Sequence, residues 1–145
     1  MVEYEQRVAI AASAAMVWQV MSDVERWHEW TASITEIRKL DAQPFVTGGR
    51  FRVKQPKLAA TEWTLTKVIP EQQFVWVSRS TGVVVTAWHE IAPAAEGVEV
   101  RLRIRFEGWL GALLGRLGGG LTRHYMQLEA QGLKRCVESR QAATA

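Results

Sequence analysis

The chain has 145 residues, of which 48% are hydrophobic and 23% charged, and a formal net charge of +3. That length and balance predict one folded domain with its own core, and exclude a disordered, fibrous or membrane-embedded chain. A lone cysteine, Cys136, excludes an internal disulfide framework and fits a reducing compartment.

Residues 1–20 lack a basic start followed by an apolar core, so a cytoplasmic location is expected. The longest apolar-looking run, residues 106–121, contains Glu107 and Arg116 and is too short to span a bilayer, so no stable membrane insertion is expected. Residues 101–145 carry eight Lys or Arg against three Asp or Glu. Arg101, Arg103 and Arg105 alternate with Leu102, Ile104 and Phe106, which reads as the solvated face of one strand. No aromatic run accompanies a basic groove, and nucleic acid is not an expected partner.

Residues 2–10 read as a first strand, with Tyr4, Gln6 and Val8 on one face. Ser13 is an N-cap for a helix over residues 14–21, and Asp23 for a second short helix over residues 24–30 that carries Trp27 and Trp30. A strand is predicted over residues 33–41, where the spacing of Ile34, Ile37 and Leu40 implies a bulge. Pro44 and Gly48-Gly49 then make a turn.

Strands follow at residues 50–55, 61–69, 73–80, 83–91 and 98–107, with turns at Pro70, Gly82 and residues 93–97. Short turns between consecutive strands predict an antiparallel meander. From Trp109 onward, Leu110, Leu113, Leu114, Leu117, Leu121, Tyr125, Leu128, Leu133 and Val137 recur at helical steps of three and four. Three consecutive glycines, Gly118 to Gly120, would cost roughly 1 kcal/mol each inside a helix. They divide the stretch into a short helix or loop over residues 109–117 and a main helix over residues 121–140. The glycines are either the hinge of a lid or a point of close backbone packing.

The predicted fold is therefore α+β: a curved, seven-stranded antiparallel sheet, two short N-terminal helices, and a long C-terminal helix across the sheet. A strongly curved sheet does not pack flush on a straight helix along its whole length. The space left is filled by large side chains or by a ligand.

The order of elements resembles the helix-grip fold of the START and SRPBCC superfamily. More narrowly, the chain is similar to polyketide cyclase/dehydrase and lipid transport proteins. The residues that carry the likeness are Val17-Trp18, then Asp23 to Trp27, Lys54-Gln55-Pro56, Trp63, Pro70, Phe74 and Trp76. Further on they are His89-Glu90-Ile91 with Pro93, Glu107-Gly108, Tyr125, Glu129-Ala130 and Gly132-Leu133-Lys134. The resemblance implies a deep apolar cavity between sheet and C-terminal helix. Family cargoes range over lipids, quinones, plant hormones and polyketides. Members are carriers, sensors, cyclases or partner-binding domains, with no shared catalytic motif, so fold alone does not decide the activity.

No metal or nucleotide site is expected. His28, His89 and His124 are far apart in sequence, and neither His28-Glu29 nor His89-Glu90 extends to a second histidine at helical spacing. The glycines around residue 118 lack a following Lys-Ser or Lys-Thr, and no cofactor is implied. Alternation turns Val85, Ala87, His89 and Ile91 to one face, and likewise Phe51, Val53 and Gln55, and Phe74, Trp76 and Ser78. Leu102 and Ile104 join them from the last strand, with Trp63 from the fourth. Leu117, Leu121 and Tyr125 face the sheet from the helical stretch, and Trp30 stands at the mouth.

The expected ligand is an apolar or aromatic small molecule. Trp63 and Trp76 either contact it or fill the space themselves. His89 is a candidate general acid or base and Tyr125 a candidate donor to an enolate, as a polyketide cyclisation requires; otherwise both are hydrogen-bonded core residues. Three functions are open: a carrier or sensor, a cyclase using His89 and Tyr125, and a partner-binding module. The sequence carries no reading of oligomeric state.

Overall fold

A computed structural model describes residues 1–144. Seven antiparallel strands form one sheet in the order β1-β7-β6-β5-β4-β3-β2. They are β1 Val2–Ile10, β2 Glu36–Lys39, β3 Arg50–Lys54, β4 Thr61–Ile69, β5 Gln73–Ser80, β6 Val83–Ala94 and β7 Gly97–Glu107. Helix α1, Ala14–Ser22, and a 3-10 helix, Val24–Glu29, follow β1; α2, Gly111–Leu117, and α3, Gly119–Thr144, follow β7. This is the helix-grip arrangement expected from the order of elements.

The local departures have physical reasons. Strand β2 is only four residues long, and its register with β3 is unbroken from Glu36↔Lys54 to Lys39↔Phe51. The bulge lies instead in β4, where Leu65 pairs with Trp76 and Lys67 with Val75, leaving Thr66 over. Ser13 caps α1, its side chain accepting from Met16 N–H at 3.2 Å, whereas the Asp23 side chain makes no cap. Strand β6 runs on through Pro93, which pairs only with Val98 of β7. Strand β5 stops pairing at Gln73↔Glu90, so the missing N–H of Pro93 faces no partner strand.

The long helix begins at Gly119, not at residue 121, and the break is confined to Gly118. Three glycines at steps of four explain this. A Cβ on Gly111 would touch Val83, one on Gly115 would stand 2.8 Å from the Phe106 ring, and one on Gly119 would stand 2.5 Å from the Tyr4 hydroxyl. The Tyr4 hydroxyl also donates to Gly115 O at 2.7 Å. The glycine-rich segment is thus a close-packing seam against β1, β6 and β7. Its leucines are correspondingly displaced from the core: Leu113, Leu114 and Leu117 are all exposed.

The C-terminal half of α3 packs flush. Ala130, Leu133 and Val137 are at most 1% exposed, in one core with Ile10, Val17, Val20, Met21 and Val100. Gly132 lets the helix approach the loop after the 3-10 helix, where the Trp30 carbonyl oxygen would lie 2.1 Å from an added Cβ. At the same end, Glu138 accepts from Ala11 N–H at 2.9 Å and from Lys134 Nζ at 2.8 Å, while Lys134 also donates to Ala9 O at 2.7 Å. These bonds tie the end of β1 to α3.

On the outer face of the sheet the arginines of β7 are paired with carboxylates, Arg101 with Glu90 at 3.0 Å and Arg105 with Glu3 at 2.9 Å. Trp88 lies beneath Arg103 and Arg105, at 4.2 and 4.9 Å from ring centre to guanidinium carbon. Arg103 is the direct cross-strand partner of Trp88, and the diagonal offset across the β6–β7 pair brings Arg105 over the same ring.

Two predictions follow from this packing. Glycine to alanine inside a helix ordinarily stabilises by up to about 1 kcal/mol. Gly120→Ala, with open space around it, follows that rule, whereas Gly132→Ala reverses it and lowers stability by about 2 kcal/mol or more through the Trp30 carbonyl clash. Urea denaturation of the two variants reads the opposite signs.

The second concerns Glu138, whose carboxyl is held below the usual carboxylate range, first by the Ala11 N–H and then by Lys134. Because the folded value is the lower one, its stabilisation is complete above the unfolded carboxylate pKa and drains away as pH falls through the folded value. The melting-temperature gap between the native chain and Glu138→Gln is expected to be widest near neutrality and to shrink below about pH 4.

Candidate functional site

Neighbouring strands align side chains into rows across the concave face. One row joins Val68, Phe74, His89, Leu102 and Gln6; the next joins Leu65, Trp76, Ala87, Ile104 and Tyr4; a third joins Ser78, Val85, Phe106 and Val2. The first row lies under the flush part of α3, where Phe74 and Leu102 are buried at 0% and 2% exposure. In the second, the small Ala87 sits beside Trp76 and leaves room above it.

There the sheet and the first turns of α3 enclose a cavity of about 670 Å³. From α3, Leu121, Thr122, Tyr125, Met126 and Glu129 face it, positions one and four residues apart on a single helical face. The far wall is Val53, Gln55, Trp63, Trp76, Ser78, Val85, Ala87, His89 and Ile104. Trp27, Ser33 and Ile34 close one end, and Leu58, Ala59, Leu114 and Leu117, all exposed, mark the opening.

The expected wall is therefore largely assembled, with four displacements. Phe51, Phe74 and Leu102 lie in the core behind the cavity, and Trp30 packs on Trp27 at 5.3 Å between ring centres, outside the cavity. Alternation identifies the face of a strand, but not which end of that face the helix leaves uncovered. Trp27, Ile34, Met126 and Glu129 were not expected on the wall. Glu129 was legible: it stands one helical turn beyond Tyr125, on the same face.

Gln55, Ser78 and Thr122 are polar groups on the wall, and His89 and Glu129 form its acid–base pair. His89 is 5% exposed and stacks on Phe74, its cross-strand partner, at 4.1 Å between ring centres and 7° between planes. Trp27 and Trp76 bound it at 5.4 and 5.9 Å. One imidazole nitrogen, Nε2, lies 3.5 Å from Glu129 Oε1, too long for a well-formed hydrogen bond. The other, Nδ1, is buried with no partner among the described residues. An unpaired buried polar atom costs about 1–3 kcal/mol, and His89 is itself on the cavity wall.

Tyr125 does not pair with His89. Its hydroxyl donates to the carbonyl of Pro56, clasping α3 to the loop between β3 and β4. Trp63 and Trp76 lie 5.6 Å apart with their planes inclined by 39°, and the Trp63 indole N–H donates to Thr61 Oγ1 at 2.9 Å. The Tyr125 hydroxyl and the Trp63 indole N–H are thus satisfied within the protein, and His89 and Glu129 are the facing acid–base pair on the wall. A second, wider depression of about 830 Å³ crosses the loops around Ala12, Gln72 and Gly97. It has no aromatic wall.

Solved structures with this fold include three of direct interest. The di-domain ARO/CYC StfQ from the steffimycin biosynthetic pathway matches with a TM-score of 0.79 at 14% identity, over 97% of this chain and 52% of that one. The chain thus spans about half of that protein. The ZhuI aromatase/cyclase from Streptomyces sp. R1128 matches with a TM-score of 0.77 at 14% identity, over 96% and 94% of the two chains. A START superfamily protein from Mycobacterium smegmatis matches with a TM-score of 0.69 at 18% identity, over 94% and 97%. At such identities the likeness is one of fold. No curated protein sequence matches. The family model described as "Polyketide cyclase / dehydrase and lipid transport" matches residues 1–138, and the chain belongs to that family.

Proposed function

We propose that the protein binds an apolar or aromatic small molecule in the cavity between the sheet and α3, as a carrier or sensor. The observation that carries this reading is a single one: a space of about 670 Å³, walled largely by tryptophan and aliphatic side chains, with His89 and Glu129 facing each other on its wall. That volume is within the range of sites for drug-sized ligands. Trp63 and Trp76 offer flat surface to a planar body, and His89 on the same wall offers a hydrogen bond to an oxygen on it. The preferred ligand is thus a planar or polycyclic molecule with one carbonyl or hydroxyl group at its leading end.

A second reading, cyclisation of a polyketide-like substrate, draws support from the same pair and from the aromatase/cyclase names of two structural relatives. The pairing of His89 with Tyr125 is not the one the geometry favours, because the Tyr125 proton is already donated to Pro56 O. In this reading His89 takes the proton from the carbon between two carbonyls, and Glu129 stabilises the resulting imidazolium. Turnover of a poly-β-ketone that vanishes in His89→Ala, while the same variant still binds a product analogue, separates enzyme from carrier.

The binding reading is tested by filling the space. Val85→Trp projects an indole into the cavity from the third row of the sheet. Titration of a hydroxynaphthoquinone should be at least about tenfold weaker in this variant. Glu129→Gln, which keeps shape and removes charge, should change affinity for the hydroxylated probe more than for plain naphthalene. Equal binding by Val85→Trp and the native protein would refute the cavity as the site.

A further inference from the structure

Helix α2 is amphipathic in the wrong sense for a helix covering a core. Gly111 and Gly115 face the protein, while Trp109, Leu113 and Leu117, spaced four apart, are 78%, 53% and 77% exposed. The helix is nonetheless firmly seated. Gly82 O accepts from Leu110 N–H at 3.0 Å and from Gly111 N–H at 3.1 Å, and the Trp109 indole lies over Gly82. The exposed stripe is therefore held outward by fixed structure. Across the cavity opening, Leu58 adds a further exposed apolar side chain at 41%.

The charge around this patch has one sign. Residues 54–60 and 108–128, which form the two sides of the opening, contain four Lys or Arg and no Asp or Glu. Lys57, Arg116 and Arg123 are exposed there. The flanking carboxylates are engaged, Glu62 with Arg50 at 2.8 Å and Glu107 with Arg105 at 3.8 Å, and Glu129 faces His89 inside the cavity. A tryptophan and leucines framed by unopposed cations form the composition that settles at an anionic lipid surface.

We propose that α2 and the facing loop dock the cavity opening onto an anionic bilayer surface. Trp109, Leu113 and Leu117 enter the headgroup boundary, and Arg116, Arg123 and Lys57 meet lipid phosphates. Among the described residues no helix is long and apolar enough to cross a membrane, so the contact is peripheral. Docking in this orientation places the opening against the lipid, a route by which an apolar molecule enters without crossing water.

Co-sedimentation with vesicles tests this. The native protein is expected to bind vesicles of phosphatidylcholine with 30% phosphatidylglycerol, to bind pure phosphatidylcholine far less, and to be released by high salt. The double variant Trp109→Ser/Leu113→Ser, altered only at exposed positions outside the cavity wall, should lose binding about tenfold or more. It should keep its circular dichroism and its affinity for the hydroxynaphthoquinone, so that surface docking and cavity binding are read separately. Arg116→Glu should abolish the preference for the anionic vesicles. Binding that is absent, indifferent to lipid charge or unchanged in the double variant would overturn the proposal. So would a dimer in solution that the double variant abolishes, which would make a second copy of the chain the occupant.

Discussion

The structure depends on one contact, the flush packing of the second half of α3 on the sheet. Ala130, Leu133 and Val137 carry no more than 1% exposure, and Gly132 admits the Trp30 carbonyl to the helix surface. With that end pinned, the other end stands off, because the sheet curves away from a straight helix. Small Ala87 beside Trp76 keeps the gap from being filled. The cavity is a geometric consequence of packing one end well. The hydrogen bond from Tyr125 to Pro56 O then fixes the height of the helix over the gap.

The same geometry determines where polarity falls. His89 occupies the row at the boundary between packed core and open space. Its aromatic neighbours are supplied by strand pairing and by the 3-10 helix, and its carboxylate by α3. A titratable ring walled by aromatic faces has few ways to satisfy its second nitrogen. The cavity thus combines a large apolar surface with an acid–base pair on one side of it.

Much of this was legible in the sequence. Period-two alternation located every strand from β3 to β7, and helical steps from Leu121 onward located the inward face of α3. Other features were not, and for identifiable reasons. The bulge at Thr66 moves the inward face from Trp63 and Leu65 to Val68, but Val68-Ile69 offers an apolar residue in either register and so masks the shift. The depth of Phe51, Phe74 and Leu102 depends on which end of the sheet the helix covers, a tertiary fact. In α2, leucine spacing was read as a core face. The glycines at residues 111, 115 and 119 were the better signal, since only they permit the approach to Phe106 and Tyr4. Where small residues share a helical period with large ones, the small face can be the buried one.

The most direct measurement of the central claim uses the seven tryptophans as reporters. Indole N–H resonances are followed by NMR while a planar aromatic such as a hydroxynaphthoquinone is added. Trp63 and Trp76 line the cavity, whereas Trp88 lies on the opposite face of the sheet under Arg103. Saturable shifts are expected at Trp63 and Trp76, with Trp88 unmoved. Shifts confined to Trp88, or none at Trp63 and Trp76 at saturating ligand, would contradict binding in the cavity.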